Sequence, residues 1–444
     1  MTYEEARGFV ANAAKKGSIL GLESIRALMR ELSDVQDRLK VVHIAGTNGK
    51  GSTLAYLLGI LKEAGYRTGR YHSPAVFDDL ECFSINGASI TKQQYATYMT
   101  KVAKASERLV MQGRPQPTAF ELETALAYVY FYEEKCDIVL IETGMGGDED
   151  ATNVVQNTCL SLIAPVSLDH TQFLGDTLAE IAGHKAGIIK EGAAVIAGAQ
   201  PPEALAVIRR TAEEKHAAFL QSGTPVQVQY QNALTTFTYA EEGGRRLKAL
   251  KTNLIGTFQP QNACLAIAAA LYLSGHGFPL TQAQIRSGVE KTVWAGRFEK
   301  LCDTPKIYLD GGHNAGAAAF LRKSIEIYFT NKKIVYIIGV LADKDYDSIL
   351  RQTAGLAAQI VTVTPDNPRA LPAERLKEAV MRYNTNVTAS TDFQEALRLA
   401  VSSAGRDGVV FIFGSLSYLA EIRRLLMNTD DGKCLKKWNG DQHG

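Results

Sequence analysis

The sequence predicts an α/β fold in which two domains are each built on a mainly parallel β-sheet. The chain has 444 residues, more than a single hydrophobic core usually accommodates. Short apolar segments typical of buried strands alternate with longer segments of helical periodicity along most of the chain. Near the N-terminus, one such strand runs directly into a glycine-rich turn and a helix.

The first domain is expected to begin with a helix. Thr2 and Glu5 form a capping-box pattern that places the helix start at about Tyr3. The segment "KVVHIAG" is typical of a buried strand, and "STLAYLLGILKEAGY" of a helix that stops at Gly65. Further strands and helices are predicted at "DIVLIETG", "CLSLIAPVSL", "AAVIAG", "FELETALAYVYFYEE" and "TLAEIAGHKAGIIK". Residues 225–253 alternate polar and apolar side chains around a Gly-Gly turn, which predicts a small antiparallel patch at the edge of this domain.

A second α/β pattern begins near Lys306. Four more strands are predicted at "KIYLDGG", "KIVYIIGV", "QIVTVTP" and "GVVFIFGSL", with helical segments between them. We place the joint within Trp294–Pro305, the first domain at residues 1–298 and the second, smaller domain at 299–428. Residues 429–444 have little periodicity and are expected to be a disordered tail.

Composition and charge exclude several classes of protein. With 48 basic and 47 acidic residues, the chain has no global field that would attract nucleic acid or a membrane surface. Its six cysteines are scattered without a C-x-x-C pair, which argues against a zinc site or a disulfide framework. The N-terminus lacks the pattern of a signal peptide, and the longest apolar run is too short to span a bilayer. We therefore expect a cytoplasmic protein with no membrane or nucleic-acid partner.

The stretch "HIAGTNGKGST" resembles a shortened phosphate loop. Only two residues separate the first glycine from the Gly-Lys pair, whereas the usual loop has four. Glycines let backbone N–H groups turn toward a phosphate, and the helix N-terminus adds a positive dipole. Lysine can reach the outer phosphates, and the hydroxyls can face a phosphate or Mg²⁺. The alternative is a glycine turn that binds nothing. The predicted nucleotide-binding residues here are Gly46, Thr47, Asn48, Gly49, Lys50, Gly51, Ser52 and Thr53.

This loop and several later motifs resemble the folylpolyglutamate synthase/dihydrofolate synthase family of the Mur ligase superfamily. The matching stretches run through most of the chain. They are "HSPAVFDDLECFSING", "PTAFELETALAY", "IETGMGGDEDATN", "LDHTQFLGDTLAEIAGHKAGIIK", "GTFQPQNACLAIAAAL", "AGRFE", "DGGHN" and "FGSLSYLAEIR". The resemblance implies a P-loop-type ATP-binding domain followed by a Rossmann-like, glutamate-binding domain.

The implied reaction is the ATP-dependent addition of L-glutamate to a carboxylic acid. The acid would be a folate or dihydropteroate, and the reaction would pass through an acyl phosphate. ATP and two Mg²⁺ ions would be required. Closure at the interdomain joint would assemble the site and exclude water. We expect a monomer.

Metal and catalytic residues follow from the same resemblance. Glu142 ends an apolar strand beside a glycine turn, a poor place for a carboxylate unless it meets a cation; the alternative is a solvated strand end. The resemblance makes Glu142 and Ser73 ligands of one Mg²⁺, and His170 a ligand of the second, although a lone histidine there is more often a turn residue. Lys185 matches a lysine that is carbamylated in the family, whereas a solvated amine is the default. Carbamylation needs a neutral amine, hence burial and a lowered pKa.

Other residues that resemble nucleotide contacts of the family lie far apart in the sequence, and the resemblance implies their roles. Asn262 would hydrogen-bond near the phosphates, and Arg297 would clamp a phosphate with its bidentate fork, with an ordinary ion pair as the alternative. Asp310 would accept from the ribose or base, and His313 would line the same cleft. Lys50, His170, Lys185 and Arg297 form the predicted catalytic set.

The acid-substrate side is where the chain departs from the family pattern. Thr118, Phe120 and Asp150 are the candidate substrate residues, with Phe120 equally explained as a core residue. The family usually has Arg where this chain has Asp148, and a carboxylate substrate nearby would respond to that charge reversal. The other departures are Ala75 for His, His184 for Glu, Ala295 for Pro, and the stretch "DDLECF".

Three rival functions stay open. A different amide ligase of the superfamily would use another acid, but only 45 residues precede Gly46, which disfavours the cell-wall ligases. A kinase or plain ATPase would release ADP without needing an amine and an acid. A catalytically silent binder would be indifferent to the loss of Lys50 or Glu142.

Overall fold

The described part of the chain divides into two compact units. The structure, a computed structural model, describes residues 1–15, 17, 21–231 and 234–427. The first unit consists of Met1–Gln227, Phe237–Lys251 and Pro260–Thr292; the second consists of Val228–Thr236, Thr252–Gln259 and Val293–Gly444, described up to residue 427. The domain limits expected from the sequence stay predictions, and the predicted disordered tail, 429–444, lies outside the described residues.

An eight-stranded sheet forms the centre of the first unit. Its strands are β1 (Val41–Ala45), β2 (Thr68–Tyr71), β3 (Phe83–Ile85), β4 (Ala88–Ser89), β5 (Ile138–Glu142), β6 (Leu160–Ile163), β7 (Ala194–Ala197) and β8 (Ala218–Gln221). They lie in the order β4-β3-β2-β5-β1-β6-β7-β8. Among these strands only the pairs β2–β3 and β3–β4 are antiparallel, so the predicted mainly parallel sheet is confirmed. β1 is central, with β5 and β6 on either side, and such a sheet binds ligands at the carboxyl ends of its strands.

The structure describes ten helices in this part of the chain. They are α1 (Tyr3–Ala14), α2 (Glu23–Glu31), α3 (Lys50–Glu63), α4 (Lys92–Met111), α5 (Ala119–Glu133), α6 (Thr171–Leu174), α7 (Leu178–Ala186), α8 (Pro202–Glu214), α9 (Gln259–Ser274) and α10 (Gln282–Lys291). The predicted capping box at the start of α1 is confirmed, because the Glu5 amide donates to the Thr2 hydroxyl at 3.2 Å and the Thr2 amide to the Glu5 carboxylate at 2.8 Å.

Two apolar clusters bury the sheet of the first unit. One packs α1, α2, α4 and α5 against residues of β1, β2, β3 and β5, including Val41 and Ile141. The other packs α7 and α8 against β6 and β7 and the end of β1, including Ala45. β1 therefore has buried side chains along its whole length, as the apolar run predicted.

The segment with alternating polarity forms a separate sheet. Its three strands, β9 (Thr224–Gln231), β10 (Leu234–Ala240) and β11 (Arg246–Thr252), lie in the order β11-β10-β9. Residues along β9 alternate between partly buried and exposed, which explains the sequence pattern.

The second unit has its own six-stranded sheet. The strands are β12 (Glu299–Asp303), β13 (Lys306–Leu309), β14 (Ile334–Ile338), β15 (Gln359–Thr362), β16 (Val387–Ala389) and β17 (Val409–Phe413), in the order β12-β13-β17-β14-β15-β16. Its helices are α11 (Ala315–Tyr328), α12 (Tyr346–Thr353), α13 (Ala373–Val380), α14 (Phe393–Ala404) and α15 (Leu419–Met427). Every neighbouring pair except β12–β13 is parallel, so the predicted Rossmann-like arrangement is confirmed. None of the helices described in either unit is long and apolar enough to cross a membrane.

Candidate active site

The turn between β1 and α3 requires glycine at two positions. Gly46 has φ +152°, and a Cβ there would lie 2.6 Å from the Cβ of Ala164. Gly49 has φ +89°, in the left-handed region, and a Cβ there would collide with the side-chain amide of Asn262. The loop is therefore pressed against the chain after β6 on one side and against α9 on the other, which brings the predicted nucleotide contact Asn262 to the loop.

Thr47 and Asn48 anchor this loop. Their backbone amides donate to the Pro165 carbonyl at 3.0 and 3.2 Å. The Thr47 hydroxyl donates to the Ser167 carbonyl at 3.0 Å, and the Asn48 side-chain amide to the Ser167 hydroxyl at 3.1 Å. These bonds hold the loop in shape, and no motif in the sequence pointed to the role of Ser167.

The helix N-terminus that follows supplies amides for an anion. α3 begins at Lys50, two residues before the predicted start, and the Thr53 amide donates to the Gly49 carbonyl at 2.9 Å. The first amides of any α-helix precede the internal hydrogen-bond ladder, so those of Lys50, Gly51 and Ser52 lie at the positive end of α3. The side chains of Ser52 and Thr53 are both buried beside them.

Two lysines converge on one backbone carbonyl. Lys50 Nζ and Lys185 Nζ each donate to the Gly46 carbonyl oxygen at 3.0 Å. Lys50 Nζ also lies 3.8 Å from Oε1 of Glu142, the last residue of β5. β5 pairs with β1 in register, with Ile44 opposite Glu142, which is why the carboxylate lies at the level of the loop.

Lys185 is buried, contrary to the default expectation of a solvated amine. Only 4% of the residue is exposed. Burial lowers the pKa of Lys185 to about 7, with a further lowering by Lys50 that Asp169 and Asp150 oppose. A substantial fraction of the amine is thus neutral near pH 7, which is the state that reacts with CO₂.

The three predicted metal ligands lie at the end of β5 or in the loops that follow β2 and β6. Glu142 is buried, Ser73 follows β2 and is half-buried, and His170 has φ +51° and a 40% exposed side chain. His170 Nε2 is 4.0 Å from Asp169 Oδ1. In the described part of the chain, no group of three or more histidine, cysteine or acidic side chains could hold a metal ion by itself. One carboxylate and a hydroxyl fit Mg²⁺ that takes its other ligands from nucleotide phosphates and water.

Asp150 fastens the turn that follows β5. Its Oδ2 accepts from the Met145 amide at 2.8 Å and its Oδ1 from the Thr152 amide at 3.0 Å. Burial raises the pKa of Asp150, and the hydrogen bonds from Thr152 and from the Met145 amide oppose that rise. The carboxylate proposed for substrate contact is therefore also what holds the glycine turn in place.

Thr118 and Phe120 lie at the start of α5, next to the same turn. Thr118 caps α5, with its hydroxyl accepting from the Glu121 amide at 3.3 Å. The half-buried Phe120 ring lies 6.5 Å from the Tyr71 ring, and its Cζ would be 2.8 Å from a Cβ on Gly144. Gly144 thus leaves room for the Phe120 ring, and both interpretations of Phe120, core packing and substrate contact, stay compatible with its position.

Two of the departures from the family pattern contact each other. The Nδ1 atom of His184 lies 3.0 and 2.9 Å from the two carboxylate oxygens of Asp148, and the Asp148 amide donates to the His184 carbonyl at 2.9 Å. His184 directly precedes Lys185 on α7. Both departures are visible in the sequence, but the contact between them was not predicted. The signal for this contact was that the charge differs from the family pattern at both positions.

The stretch "DDLECF", which begins at Asp78, is likewise held in place by local contacts. Asp79 forms an ion pair with Arg7 of α1. Glu81 Oε1 accepts from the amides of Val76 at 2.5 Å and Phe77 at 3.2 Å. Ala75, another departure, is partly buried against the core of the first unit.

In the second unit, Asp310 organises the turn after β13. Its carboxylate is buried and accepts from the amides of Phe298 at 3.0 Å and Gly312 at 2.8 Å. Burial raises the pKa of Asp310, and Arg297 opposes that rise. A Cβ on Gly311 would collide with the Arg297 guanidinium, and His313 Nδ1 lies 2.9 Å from the Gly311 carbonyl. Arg297, Asp310 and His313 are thus brought together around one glycine turn, and their roles toward a nucleotide stay predictions.

Models of known protein families match both halves of the chain. Residues 44–270 match the Mur ligase middle domain, and residues 296–416 match the Mur ligase glutamate ligase domain. The first match spans the glycine loop and Asn262, and the second spans the Arg297–His313 cluster.

Individual proteins match over nearly the whole length. The chain is 36% identical to a dihydrofolate synthase/folylpolyglutamate synthase of Bacillus subtilis, covering 96% of this chain and 99% of the relative. It is 33% identical to a folylpolyglutamate synthase of Lacticaseibacillus casei, again covering 96% and 99%. Among solved structures, Mycobacterium tuberculosis folylpolyglutamate synthase complexed with ADP and AMPPCP superposes with a TM-score of 0.87 at 29% identity, covering 95% of this chain and 98% of that one.

Proposed function

Because this chain belongs to the family of Mur ligases that contains the folylpolyglutamate and dihydrofolate synthases, we propose that it uses ATP to join L-glutamate to a folate, with dihydropteroate as the second candidate acceptor. The observation that supports this most strongly is the arrangement at the end of β1. A helix N-terminus, two lysines on the Gly46 carbonyl and the Glu142 carboxylate lie together at one edge of the sheet.

The helix N-terminus is the binding site we assign to the ATP phosphates. Backbone amides and the helix dipole favour an anion there, and Lys50 adds a full positive charge. Since Lys50 Nζ is only 3.0 Å from the Gly46 carbonyl, the ammonium is held at the loop before substrate arrives. Such preorganised charge acts on the transferring phosphoryl group without reorganisation during the reaction.

Mg²⁺ fits the donors that the chain offers. Glu142 and Ser73 would hold one ion and His170 would contribute to a second, with the remaining ligands from phosphate and water. When bound, Mg²⁺ neutralises charge on the phosphates. Glu142 has a second role before the ion binds, since its Oε1 lies 3.8 Å from Lys50 Nζ and holds that cation near the loop.

The chemistry takes two steps. A carboxylate oxygen of the acid attacks the γ-phosphorus of ATP, the bond from phosphorus to the β,γ-bridging oxygen breaks, and ADP leaves an acyl phosphate. The nitrogen of glutamate then attacks the acyl carbon. The bond from that carbon to the phosphate oxygen breaks, inorganic phosphate leaves with one oxygen from the acid, and the nitrogen releases a proton to solvent. Positioning of the two reactants supplies much of the catalysis.

Carbamylation of Lys185 is part of the proposal. Its buried amine, with a pKa of about 7, meets the requirement for reaction with CO₂. The product is a carboxylate, so the cation beside Lys50 would become an anion. That change would remove the repulsion between the two side chains and supply an oxygen ligand at the phosphate site.

The acid is assigned to the turn after β5, lined by Phe120, Thr118 and Asp150. Asn262 in the first unit, and Arg297, Asp310 and His313 in the second, stay candidate nucleotide contacts. Glutamate binding is assigned to the second unit because of its match to the glutamate ligase domain.

The test is phosphate release measured with ATP, Mg²⁺ and glutamate, and with tetrahydrofolate, dihydropteroate or no acid. We expect release only when an acid and glutamate are both present. Release that ignores the acid would favour a kinase or plain ATPase. Release that occurs with another carboxylic acid, but with neither tetrahydrofolate nor dihydropteroate, would favour a related amide ligase. The feature that supports this alternative is the negative charge of Asp148, where the family usually has Arg. Absence of release under every condition, with Lys50→Ala also without effect in cells, would favour a silent binder.

A cytoplasmic, monomeric state is also proposed. The location is supported by the scattered cysteines, which show no pattern of a disulfide framework. Light scattering of the purified full chain, and fractionation of the cells that contain it, would test the two statements separately.

A further inference from the structure

A chain of buried hydrogen bonds connects β1 with the turn after β5. His43, in the middle of β1, is fully buried, and its Nε2 lies 2.9 Å from the Thr152 hydroxyl. The same hydroxyl lies 2.5 Å from Asp150 Oδ1, and the Tyr128 hydroxyl donates to the Thr152 carbonyl at 2.7 Å. All four side chains are buried.

Burial raises the pKa of Asp150, but the hydrogen bonds that its two oxygens accept favour one arrangement of the protons in this chain. Both oxygens of Asp150 accept backbone amides, which favours the ionised carboxylate, and a carboxylate can only accept. The Thr152 hydroxyl therefore donates its single proton to Asp150 and accepts from His43. It follows that Nε2 of His43 carries the ring proton. Burial, together with the positive charge of Lys190, lowers the pKa of His43 to about 3, so the ring stays neutral.

The other ring nitrogen of His43 is the unusual feature. Nδ1 is buried and, among the residues that the structure describes, has no hydrogen-bond partner. A buried polar atom without a partner lowers stability, and an apolar side chain at this position would avoid that loss. The compensating gain has to come from the donor at Nε2, which points to a role for its contact with Thr152.

That contact acts on the acid side of the site. Thr152 orients Asp150, and Asp150 holds the Met145 amide in the turn that begins just after Glu142. Asp150 Oδ2 would lie 3.3 Å from a Cβ on Gly144, so the carboxylate sits directly behind the segment against which Phe120 packs. A displaced Asp150 would change the shape of this turn while leaving the Lys50 contacts with the Gly46 carbonyl intact.

We propose that His43 is a positioning residue for the carboxylic-acid substrate, acting through Thr152 on Asp150 and the turn at residues 143–150. This inference rests on the proposed ligase function, because it concerns binding of that acid. It assigns no direct contact between His43 and any substrate.

Two variants at one position separate the Nε2 donor from the bulk of the side chain. In His43→Gln the side-chain amide nitrogen can occupy the place of Nε2, whereas in His43→Asn it reaches only the place of Nδ1. We expect His43→Gln to keep the KM for the acid within about threefold of wild type, and His43→Asn to raise it about tenfold, with the KM for ATP unchanged in both. Equal effects of the two variants, or a parallel rise in the KM for ATP, would overturn the inference.

A measurement without turnover tests the same claim. In ¹⁵N NMR of the full chain, we expect His43 in the Nε2–H form, unchanged between about pH 5 and 8. An Nδ1–H form or a titrating ring would contradict the hydrogen-bond chain.

If His43→Asn does not fold, Thr152→Val and Thr152→Ser replace it. Thr152→Ser should retain the KM for the acid and Thr152→Val should raise it, and equal KM values would overturn the inference. Wild-type turnover that ignores folate acids would refute the proposed function instead, and the NMR result would be unaffected.

Discussion

Two turns leave neighbouring strands at the same edge of the first sheet, and they are built from opposite charges. The turn after β1 gathers Lys50 and Lys185 on the Gly46 carbonyl at the positive end of α3. The turn after β5 is built around the buried carboxylate of Asp150, which receives backbone amides and the Thr152 hydroxyl. The first is suited to hold an anion, and the second is a turn whose shape is fixed by the hydrogen bonds that Asp150 accepts.

Under the proposed function, this difference would keep the two substrates apart. A polyphosphate is bound by positive charge and backbone amides, which the lysines and the helix N-terminus after β1 offer. The acid would need a pocket of fixed shape, which the internal hydrogen bonds of the turn after β5 would provide. Substitutions in the first turn should therefore affect nucleotide binding and kcat. Substitutions in the second turn should affect the KM for the acid.

Loss of Lys50 should give the largest effect. Lys50→Met removes the cation that we propose to face the transferring phosphoryl group, and we expect kcat for phosphate release to fall about 100- to 1,000-fold with the fold intact. Lys62→Met, at an exposed position on the same helix, is the matched control and should be neutral. Near-normal turnover of Lys50→Met would show that the first turn is not the phosphate site.

Gly49→Ala should weaken nucleotide binding about 10- to 100-fold, because its Cβ would displace the side-chain amide of Asn262, a predicted nucleotide contact, from a loop position with a left-handed φ of +89°. Gly65, after α3, has a nearly identical φ of +86° and nothing within 4 Å of the position that a Cβ would take, so Gly65→Ala isolates the backbone strain. Calorimetric titration with AMPPCP measures both. An equal loss of affinity in Gly65→Ala would mean that general destabilisation, and not the contact between Gly49 and Asn262, explains the effect.

Lys185→Met should raise stability while removing activity. The amine has a folded pKa of about 7 against an ordinary value of 10.5, so wild-type stability falls as pH drops from about 10.5 to 7. Replacing a buried, partly charged group by an apolar one should stabilise the chain by about 1 to 3 kcal/mol at pH 7 in CO₂-free buffer, and by less at pH 9. Urea unfolding at both values measures this. A stabilisation by Lys185→Met that is larger at pH 9 than at pH 7 would contradict the lowered pKa of the buried amine.

The pair Asp148–His184 should give the smallest effect. Its side chains are 42% and 35% exposed, and exposed pairs contribute below about 1 kcal/mol. A double-mutant cycle with Asp148→Asn and His184→Gln should show this coupling in the KM for the acid and none in the KM for ATP. Strictly additive effects on the acid KM would mean that the two residues act independently of each other.

The two turns also differ in how much of them the sequence could predict. The loop after β1 is contiguous, so strand, glycines, lysine and helix could be placed from their spacing alone, and the parallel sheet followed from the alternation of segments. The turn after β5 depends on partners far away in the chain: His43 and Thr152 are 109 residues apart, and Asp148 and His184 are 36 apart. No local pattern records such contacts.

The burial of single polar side chains was the other feature that the sequence could not predict. A lysine near a helix end is usually solvated, and only the packing of α7 against the loop makes Lys185 an exception. Thr118 and Asp150 were predicted as substrate residues from the resemblance, and the structure adds that both are occupied in holding a helix end and a turn. Their contact with substrate stays a prediction.

The most direct test of phosphoryl transfer to the acid is an oxygen-tracing experiment. Tetrahydrofolate bearing ¹⁸O in its side-chain carboxylates would be turned over with ATP, Mg²⁺ and glutamate, and the released phosphate analysed by mass spectrometry. When a labelled carboxylate oxygen has attacked ATP, we predict that the phosphate released contains one ¹⁸O atom. That oxygen leaves with the phosphoryl group when glutamate attacks the acyl carbon. Phosphate without ¹⁸O, with three oxygens from ATP and one from water, would show that ATP is hydrolysed by water and that no acyl phosphate forms.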